Sequence, residues 1–385
     1  MRICTTSAAI LIAVLLGGGP ALAAPTVEVR KAEWWLAPMG IAKAQQISQG
    51  EGVIVGLVDT GVDSTHPDLA GRILAGAGGG SANGTGSTAA ENHGTNMAGL
   101  IVGQGGGPTR MLGIAPKVKI LPYAISATVS SREVAAGIRW TADHGADVIN
   151  ISNAHPGQAN DDEIAAVNYA LSKDIVVVAS AGNTPETGAE VGSPASIPGV
   201  IAVAGIQTSG NFWEFSASGE QVVVAAPAER LISTAPRASD PSRYMIADGT
   251  SGAAALVSGL VALIRSRYPD LDAANVINRV ISTAKDNGKP GRDPYFGYGT
   301  VRMVTALTAT VPSVTANPLG GAAAAANTTP AWTPVRTKPS VTPLMKILII
   351  GIPLVLVILL VVFIVKAVTR PKARPGPANR VDGRW

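Results

Sequence analysis

Residues 53–61 read Val-Ile-Val-Gly-Leu-Val-Asp-Thr-Gly, an apolar run that stops at a carboxylate followed closely by a glycine. The run is rich in β-branched residues and shows no polar alternation, which is typical of a strand buried on both faces. Such strands form parallel sheets, in which chemistry gathers at the carboxyl ends of the strands. The stretch therefore predicts a parallel sheet with Asp59 beside a cleft, although a single Asp at such a place is more often a cap or turn residue.

Similar runs and helical patterns alternate along the rest of this region. The predicted strands are Val53–Val58, Val118–Ala124, Val148–Ile151, Ile175–Ala179, Val200–Ala204 and Val222–Ala225. The predicted helices are Thr95–Val102, Ser131–Ala142, Asp161–Ser172, Thr250–Arg267 and Asp272–Ala284. This alternation predicts an α/β fold with a mainly parallel central sheet and helices on both faces.

The composition excludes two broad classes of protein. Only 15% of the 385 residues are charged and 46% are hydrophobic, whereas a globular chain has about 25% charged residues. A disordered, solvating chain is therefore excluded. Aromatic residues make up 4% of the chain, which argues against a stacking surface for single-stranded nucleic acid.

The two ends of the chain predict export and membrane anchoring. Residues 1–23 have a basic start, a short apolar run and small residues before the cleavage position, as in a signal peptide. Residues 344–366 include 19 consecutive uncharged residues, which at ~1.5 Å each nearly span a bilayer core of about 30 Å. Residues 367–385 are basic, so the positive-inside rule places them in the cytoplasm. We expect a single-pass protein of the cell membrane with its main domain outside the cytoplasm.

Removing these ends changes how charge and cysteine are interpreted. Residues 24–345 carry 22 basic and 25 acidic side chains, a net charge of −3. The positive charge of the whole chain therefore reflects its basic tail, and we expect no nucleic-acid partner. The one cysteine, Cys4, lies in the predicted signal peptide, so the exported part has neither a disulfide nor a cysteine nucleophile.

The exported part divides into three predicted segments. Residues 24–49 form an N-terminal extension, residues 50–309 the main domain, and residues 310–343 a stalk rich in Pro, Ala and Thr. Chains below about 40 residues seldom fold alone. We therefore expect the extension to wrap the main domain and to leave its site open without being removed.

Three motifs join Asp59 as candidates for chemistry. His93-Gly94-Thr95 opens a predicted helix, Asn183 follows a predicted strand, and Ser251 lies in the first turn of an apolar helix after Gly249-Thr250. Free N–H groups at such a helix start stabilise an oxyanion, and an asparagine amide can add a second donor. Each residue also has a structural reading, as a helix-start His, a turn Asn or an N-cap Ser.

Taken together, these motifs resemble those of the subtilisin-like serine proteases. Asp-Thr-Gly, His-Gly-Thr, Ala-Gly-Asn and Gly-Thr-Ser occur in the family's order and context between residues 50 and 304. The resemblance implies a triad of Asp59, His93 and Ser251, with Asn183 at the oxyanion. It implies a substrate groove along Ser152, Asn153, Ala154, Ala181 and Gly182. No cofactor or metal is required, and bound calcium is left open.

The chain departs from the family pattern at three places. Gly252 follows the serine where the family has a larger residue, which predicts a nucleophile helix loosened by up to ~1 kcal/mol. Asn96 stands where a second histidine is frequent. The groove reads Ser-Asn-Ala-His at residues 152–155 instead of Ser-Leu-Gly-Gly, which changes the expected specificity.

The arrangement of segments resembles the mycosins, membrane-anchored subtilases of type VII secretion systems. It implies a serine endopeptidase that cleaves exported proteins and associates with the secretion membrane complex. An alternative from another class is a structural or assembly component of that complex, in which proteolysis is weak or dispensable. The intact set of candidate catalytic residues favours activity, whereas the altered groove leaves room for the alternative.

Overall fold

The computed structural model describes residues 28–78, 91–184 and 188–321. Within these ranges a seven-stranded sheet has the order β2-β3-β1-β4-β5-β6-β7, with every neighbouring pair parallel. Its strands are β1 Ile54–Asp59, β2 Ala77–Gly78, β3 Lys119–Ala124, β4 Val148–Ile151, β5 Val176–Ser180, β6 Ile201–Ile206 and β7 Val222–Pro227. The predicted α/β fold with a mainly parallel central sheet is confirmed.

The five predicted helices are also present, with ends within two residues of the predicted ones. The helices are α1 Val29–Ala32, α2 Ile41–Gln45, α3 His93–Val102, α4 Ser131–Asp143, α5 Asp161–Ser172, α6 Thr250–Arg267, α7 Ala273–Ser282 and α8 Met303–Thr308. Two short 3-10 helices cover Trp34–Leu36 and Pro67–Leu69. The short helices α1, α2 and α8 were not predicted, because a helix of fewer than seven residues is too short to show a helical period in the sequence.

A second, two-stranded sheet was also missed by the pattern. β8 Leu231–Thr234 pairs antiparallel with β9 Tyr244–Ala247. β8 lies on α3, where Ser233 and Thr234 donate their hydroxyls, each over 2.6 Å, to carbonyls of the first helical turn. Ser233 and Thr234 are fully buried although they are polar. The strand therefore lacks the apolar pattern from which a buried strand is predicted.

Helix α6 lies at the centre of the fold, and its glycines let neighbours approach closely. A Cβ at Gly252 would lie 2.3 Å from a Leu231 methyl group, and one at Gly259 would lie 2.5 Å from Ile114 Cβ. The loosening expected from Gly252 stays a prediction, but the close approach of Leu231 gives a packing reason for glycine at this position. The space of the missing side chain is filled by Leu231, and the residue is fully packed.

The described part of the N-terminal extension packs on the main domain, as predicted. Trp35 is 0% exposed, and the Trp34 indole donates to the Glu229 carbonyl at 2.9 Å. Gln45 donates to the Gly113 carbonyl at 2.8 Å. These contacts make the extension part of the same hydrophobic core.

The first residues of the predicted stalk are likewise part of the folded body. Asn275 on α7 bonds both the N–H and the carbonyl of Val314, and Gly199 donates to the Leu319 carbonyl at 3.1 Å. The folded body therefore extends to residue 321 rather than ending at residue 309, because side chains of α7 satisfy the backbone beyond it.

The predicted signal peptide, the remainder of the stalk, the membrane helix at 344–366 and the basic tail lie outside the described residues. Among the residues that are described, no helix is both long and apolar enough to cross a membrane.

We expect Gly259→Ala to lower the free energy of unfolding by about 1–3 kcal/mol, because the added methyl group overpacks α6 against Ile114. Chemical denaturation of the purified protein measures this. Arg267→Ala, at the exposed end of the same helix, is the control and should change stability by less than about 0.5 kcal/mol. Equal stability of Gly259→Ala and the original chain would contradict the close packing.

We expect Trp35→Ala to lower the free energy of unfolding by about 3–5 kcal/mol, because it empties a fully buried site. Lys31→Ala, on the exposed surface of the same extension, is the control. If Trp35→Ala unfolded at the same denaturant concentration as the original chain, the extension would not be integrated into the core.

Candidate active site

The end of β1 and the start of α3 bring Asp59 and His93 together. His93 Nδ1 lies 2.8 Å from Asp59 Oδ1 and 3.0 Å from Oδ2. The carboxylate is 1% exposed and also accepts the Thr60 N–H at 2.7 Å. The imidazole is 31% exposed. A buried carboxylate thus orients a partly exposed imidazole.

This approach depends on a glycine at the second position of α3. A Cβ at Gly94 would lie 2.2 Å from the Gly61 carbonyl oxygen, a backbone atom that has little freedom to move. Thr60 adds a further tie by accepting the Gly94 N–H at 3.1 Å. Only glycine therefore lets α3 begin close enough for His93 to reach Asp59.

Ser251 is the second residue of α6 and is held by the end of β4. Its hydroxyl donates to the Ser152 carbonyl at 2.6 Å. The Ser152 hydroxyl in turn lies 3.0 Å from the Ser251 carbonyl and 2.9 Å from Asn150 Oδ1. Because a hydroxyl has one proton, Ser251 must rotate from this position before it can donate to His93.

Asn183 is fixed by the same helix start. Its Oδ1 accepts both the N–H and the hydroxyl of Thr250, each at 3.1 Å. The amide oxygen is therefore committed to α6, and the NH₂ group is the end that can donate. The Thr250 hydroxyl also lies 3.2 Å from the Gly182 N–H. This role of Thr250 was missed, and its only signal was its position between Gly249 and Ser251.

The site opens onto one cleft of about 460 Å³. His93, Asn183, Gly182 and Ser251 line it, together with the segment 152–155. Ala181, also predicted in the groove, is fully buried and is not among the residues that line the cleft. Met245 and Ala247 of β9 also line the cleft, which the sequence did not indicate because β9 itself was not predicted.

The altered positions contribute to the walls of this cleft. Asn96 is 3% exposed, lines the cleft, and its carbonyl accepts the Ser233 hydroxyl at 2.6 Å. Asn153, Ala154 and His155 are partly exposed on the wall next to Ser152.

His66 does not line the cleft. His66 is fully buried, accepts the Asp68 N–H at Nδ1 over 3.1 Å and donates from Nε2 to the Arg243 carbonyl at 2.9 Å. Burial lowers the pKa of His66, in keeping with a neutral ring. These contacts give His66 a structural role at the start of the 3-10 helix Pro67–Leu69.

Within the described residues, no group of three or more His, Cys, Asp or Glu side chains is arranged to hold a metal ion. The groups that the site offers include a carboxylate, an imidazole, a hydroxyl and amide donors.

Comparison with known proteins agrees with this geometry. Residues 50–299 match the peptidase S8, or subtilase, family. Fervidolysin from Fervidobacterium pennivorans is 34% identical over 313 residues, covering 73% of this chain but 44% of the relative, so the chain spans under half of that protein. Mycosin-1 from Mycobacterium tuberculosis is 33% identical over 334 residues, covering 72% of this chain and 74% of the relative.

A solved structure gives the same result in three dimensions. The crystal structure of MycP1 from the ESX-1 type VII secretion system has a TM-score of 0.67 and 32% identity, over 77% of this chain and 91% of that one. From its sequence, fold and similarity, the chain belongs to the subtilase family and is a subtilisin-like serine endopeptidase related to the mycosins.

Proposed function

We propose that this protein cleaves exported proteins at the outer face of the cytoplasmic membrane with a triad of Asp59, His93 and Ser251. One observation carries the proposal: the imidazole that Asp59 holds by a hydrogen bond of 2.8 Å lines the same cleft as Ser251. This combination supplies an oriented base next to a hydroxyl at a helix start. Separate structural roles for Asp59, His93 and Ser251 would not require the Asp59–His93 pair and Ser251 to come to the same cleft.

In the proposed reaction, Ser251 turns from the Ser152 carbonyl and attacks the carbonyl carbon of the peptide. His93 has Nδ1 committed to Asp59, so Nε2 takes the hydroxyl proton. When the C–N bond breaks, His93 returns that proton to the leaving amine. A water molecule then repeats the cycle on the acyl-enzyme, and Asp59 stabilises the imidazolium in both halves.

The start of α6 supplies the proposed site for the oxyanion. The Ser251 N–H lies in the first turn, where N–H groups lack helical partners and the helix dipole favours negative charge. Asn183, held through its oxygen by Thr250, directs its NH₂ as the second donor. Both donors are fixed before the substrate arrives, which is what makes such a site effective.

The cellular role rests on the chain's similarity to the mycosins and on its predicted membrane helix. A tether near a membrane-embedded partner raises the effective concentration of the protease without any new contact. We therefore place the protein beside a type VII secretion membrane complex. The predicted membrane anchor favours cleavage of a few exported proteins over general degradation. The altered segment 152–155 is the observation that favours an assembly role as the second candidate function.

We expect Ser251→Ala and His93→Ala to lower peptide turnover by several orders of magnitude, because triad members act as a unit. Asn183→Ala should lower kcat by about 10²–10³, the cost of one oxyanion donor. Labelling by a fluorophosphonate, with peptide hydrolysis measured alongside, checks both. His144→Ala, at the exposed end of α4, is the control and should be fully labelled. Normal labelling or turnover of Ser251→Ala would refute the assignment.

We expect deletion of the gene to impair export of the substrates of the associated secretion system, since the tether would position the protein at that complex. A Ser251→Ala chain should impair export less than deletion if the protein also has an assembly role. Secreted-protein levels measure both. Equal loss in the two strains would leave proteolysis as the sole function, and normal export after deletion would reject the link to secretion.

A further inference from the structure

We propose that His155 is a positioning residue that locks the substrate-binding wall of the cleft, and that it does so as an imidazolium paired with the buried Glu163. The inference rests on the proposed protease function and deepens it. It concerns the segment Ser152–His155, called the groove segment below, which lines the cleft next to Ser251.

The contacts of the ring indicate its protonation. His155 Nε2 lies 2.8 Å from Glu163 Oε1, and Nδ1 lies 3.3 Å from the Pro156 carbonyl. A carboxylate and a carbonyl can only accept hydrogen bonds, so both ring nitrogens must donate. The geometry therefore selects the doubly protonated, positively charged ring. The Ser131 hydroxyl, 3.2 Å from Nε2, completes the surroundings of that nitrogen.

Glu163 is the anchor of this arrangement. The residue is 0% exposed, and its Oε2 accepts the Ser193 hydroxyl at 2.9 Å. Glu163 also forms a capping box with Asn160 at the start of α5. A buried carboxylate held by several donors is rigid, because leaving any of them unpaired would be costly.

The same residues close a ring across the wall of the cleft. His155 and Ser193 exchange two backbone hydrogen bonds of 3.0 Å, and Glu163 bonds the side chains of both. The groove segment is thus tied to α5, to the Ser193 segment and, through Ser131, to the start of α4. His155 is the member of this ring that also faces the cleft, with 15% of its side chain exposed.

The charges around the ring favour the imidazolium. The hydrogen bond to Glu163 raises the pKa of His155, outweighing burial. Burial by itself would raise the pKa of Glu163. The hydrogen bond to His155 is the largest of the contributions that lower it, and together these hold the pKa below its ordinary value. Glu133 on the neighbouring helix α4 has other partners, because its carboxylate accepts hydrogen bonds from the hydroxyls of Ser126 and Ser130.

Other ionisable groups do not replace Glu163 as the partner. The Ser193 segment, residues 191–194, contains no ionisable side chain. Across the cleft, the titratable lining residues are His93 and Asp248. Among the residues that the structure describes, Glu163 is therefore the carboxylate that contacts His155.

The sign of the pH dependence follows from the raised pKa. The stabilising pair is fully formed below the ordinary histidine pKa of 6.5 and is lost as pH rises through the raised value. Proton transfer by His93 has the opposite sign, since a base must be neutral. Binding of an extended substrate along the wall should therefore weaken with rising pH while the triad becomes more reactive.

Two covalent probes of the full-length protein separate these effects. A small alkyl fluorophosphonate reports the triad, whereas a tetra-alanyl diphenyl phosphonate must also occupy the groove segment. Both probes depend on His93 in the same way. Dividing the labelling rate of the peptidyl probe by that of the small probe therefore removes the contribution of His93 to the pH dependence. We expect this ratio to fall in the original chain between about pH 6 and about pH 9.

We expect His155→Gln to lower the ratio about tenfold at the acidic end, as for a lost charged hydrogen bond, and to make it independent of pH. Glu163→Gln keeps a side chain suited to the capping box and should also remove the pH dependence. His144→Gln is the matched control and should leave the ratio and its pH profile unchanged.

The outcomes distinguish this inference from the proposed function. If neither probe labels the original chain, the protease function fails and this inference fails with it. If the small probe labels but the ratio is flat with pH in the original chain, the positioning role is overturned, whether or not the variants fold. An unchanged ratio in a His155→Gln protein that still reacts with the small probe would overturn it as well.

Discussion

Burial of α6 is the constraint on which the rest of the structure depends. From Thr250 to Ile264 every residue of the helix is buried except Ser251. The sheet, α3 and β8 pack around this helix, so its first turn can reach solvent only at the cleft. The hydrophobic burial that stabilises the fold therefore also decides where the Ser251 hydroxyl is presented.

That burial explains why the chain is rich in small residues. Gly94 allows α3 to begin against Gly61, Gly252 accommodates Leu231, and Gly259 accommodates Ile114. In each case a single methyl group would meet a neighbour well inside contact distance. Close packing of this kind transmits position accurately, which matters because Asp59, His93 and Ser251 come from three different elements.

The walls of the cleft are joined by polar contacts instead of disulfides. Ser152 links β4 to Ser251, Thr250 links α6 to Asn183, and Glu163 links α5 to the groove segment. Most of these groups are shielded from water, so each must find its partner within the protein. The arrangement gives order to the cleft, and in the His155–Glu163 pair it makes that order depend on charge.

The sequence by itself determined the parallel sheet, its main helices and the candidate residues at their ends. Val53–Val58 and its counterparts signal buried strands without any knowledge of contacts, because period and β-branching are local properties. Asp59, Asn183 and Ser251 could be named from their positions after strands or in a first helical turn.

Only the tertiary structure decided how these residues meet. Three contacts show this: Asp59 with His93, the Ser251 hydroxyl with the Ser152 carbonyl, and His155 with Glu163. Each joins residues that are far apart in the chain or whose orientation the chain order does not set. β8 and β9 escaped prediction because their stability comes from each other and from α3. Contacts of this kind depend on where packed elements place side chains, and a linear pattern carries no record of that placement.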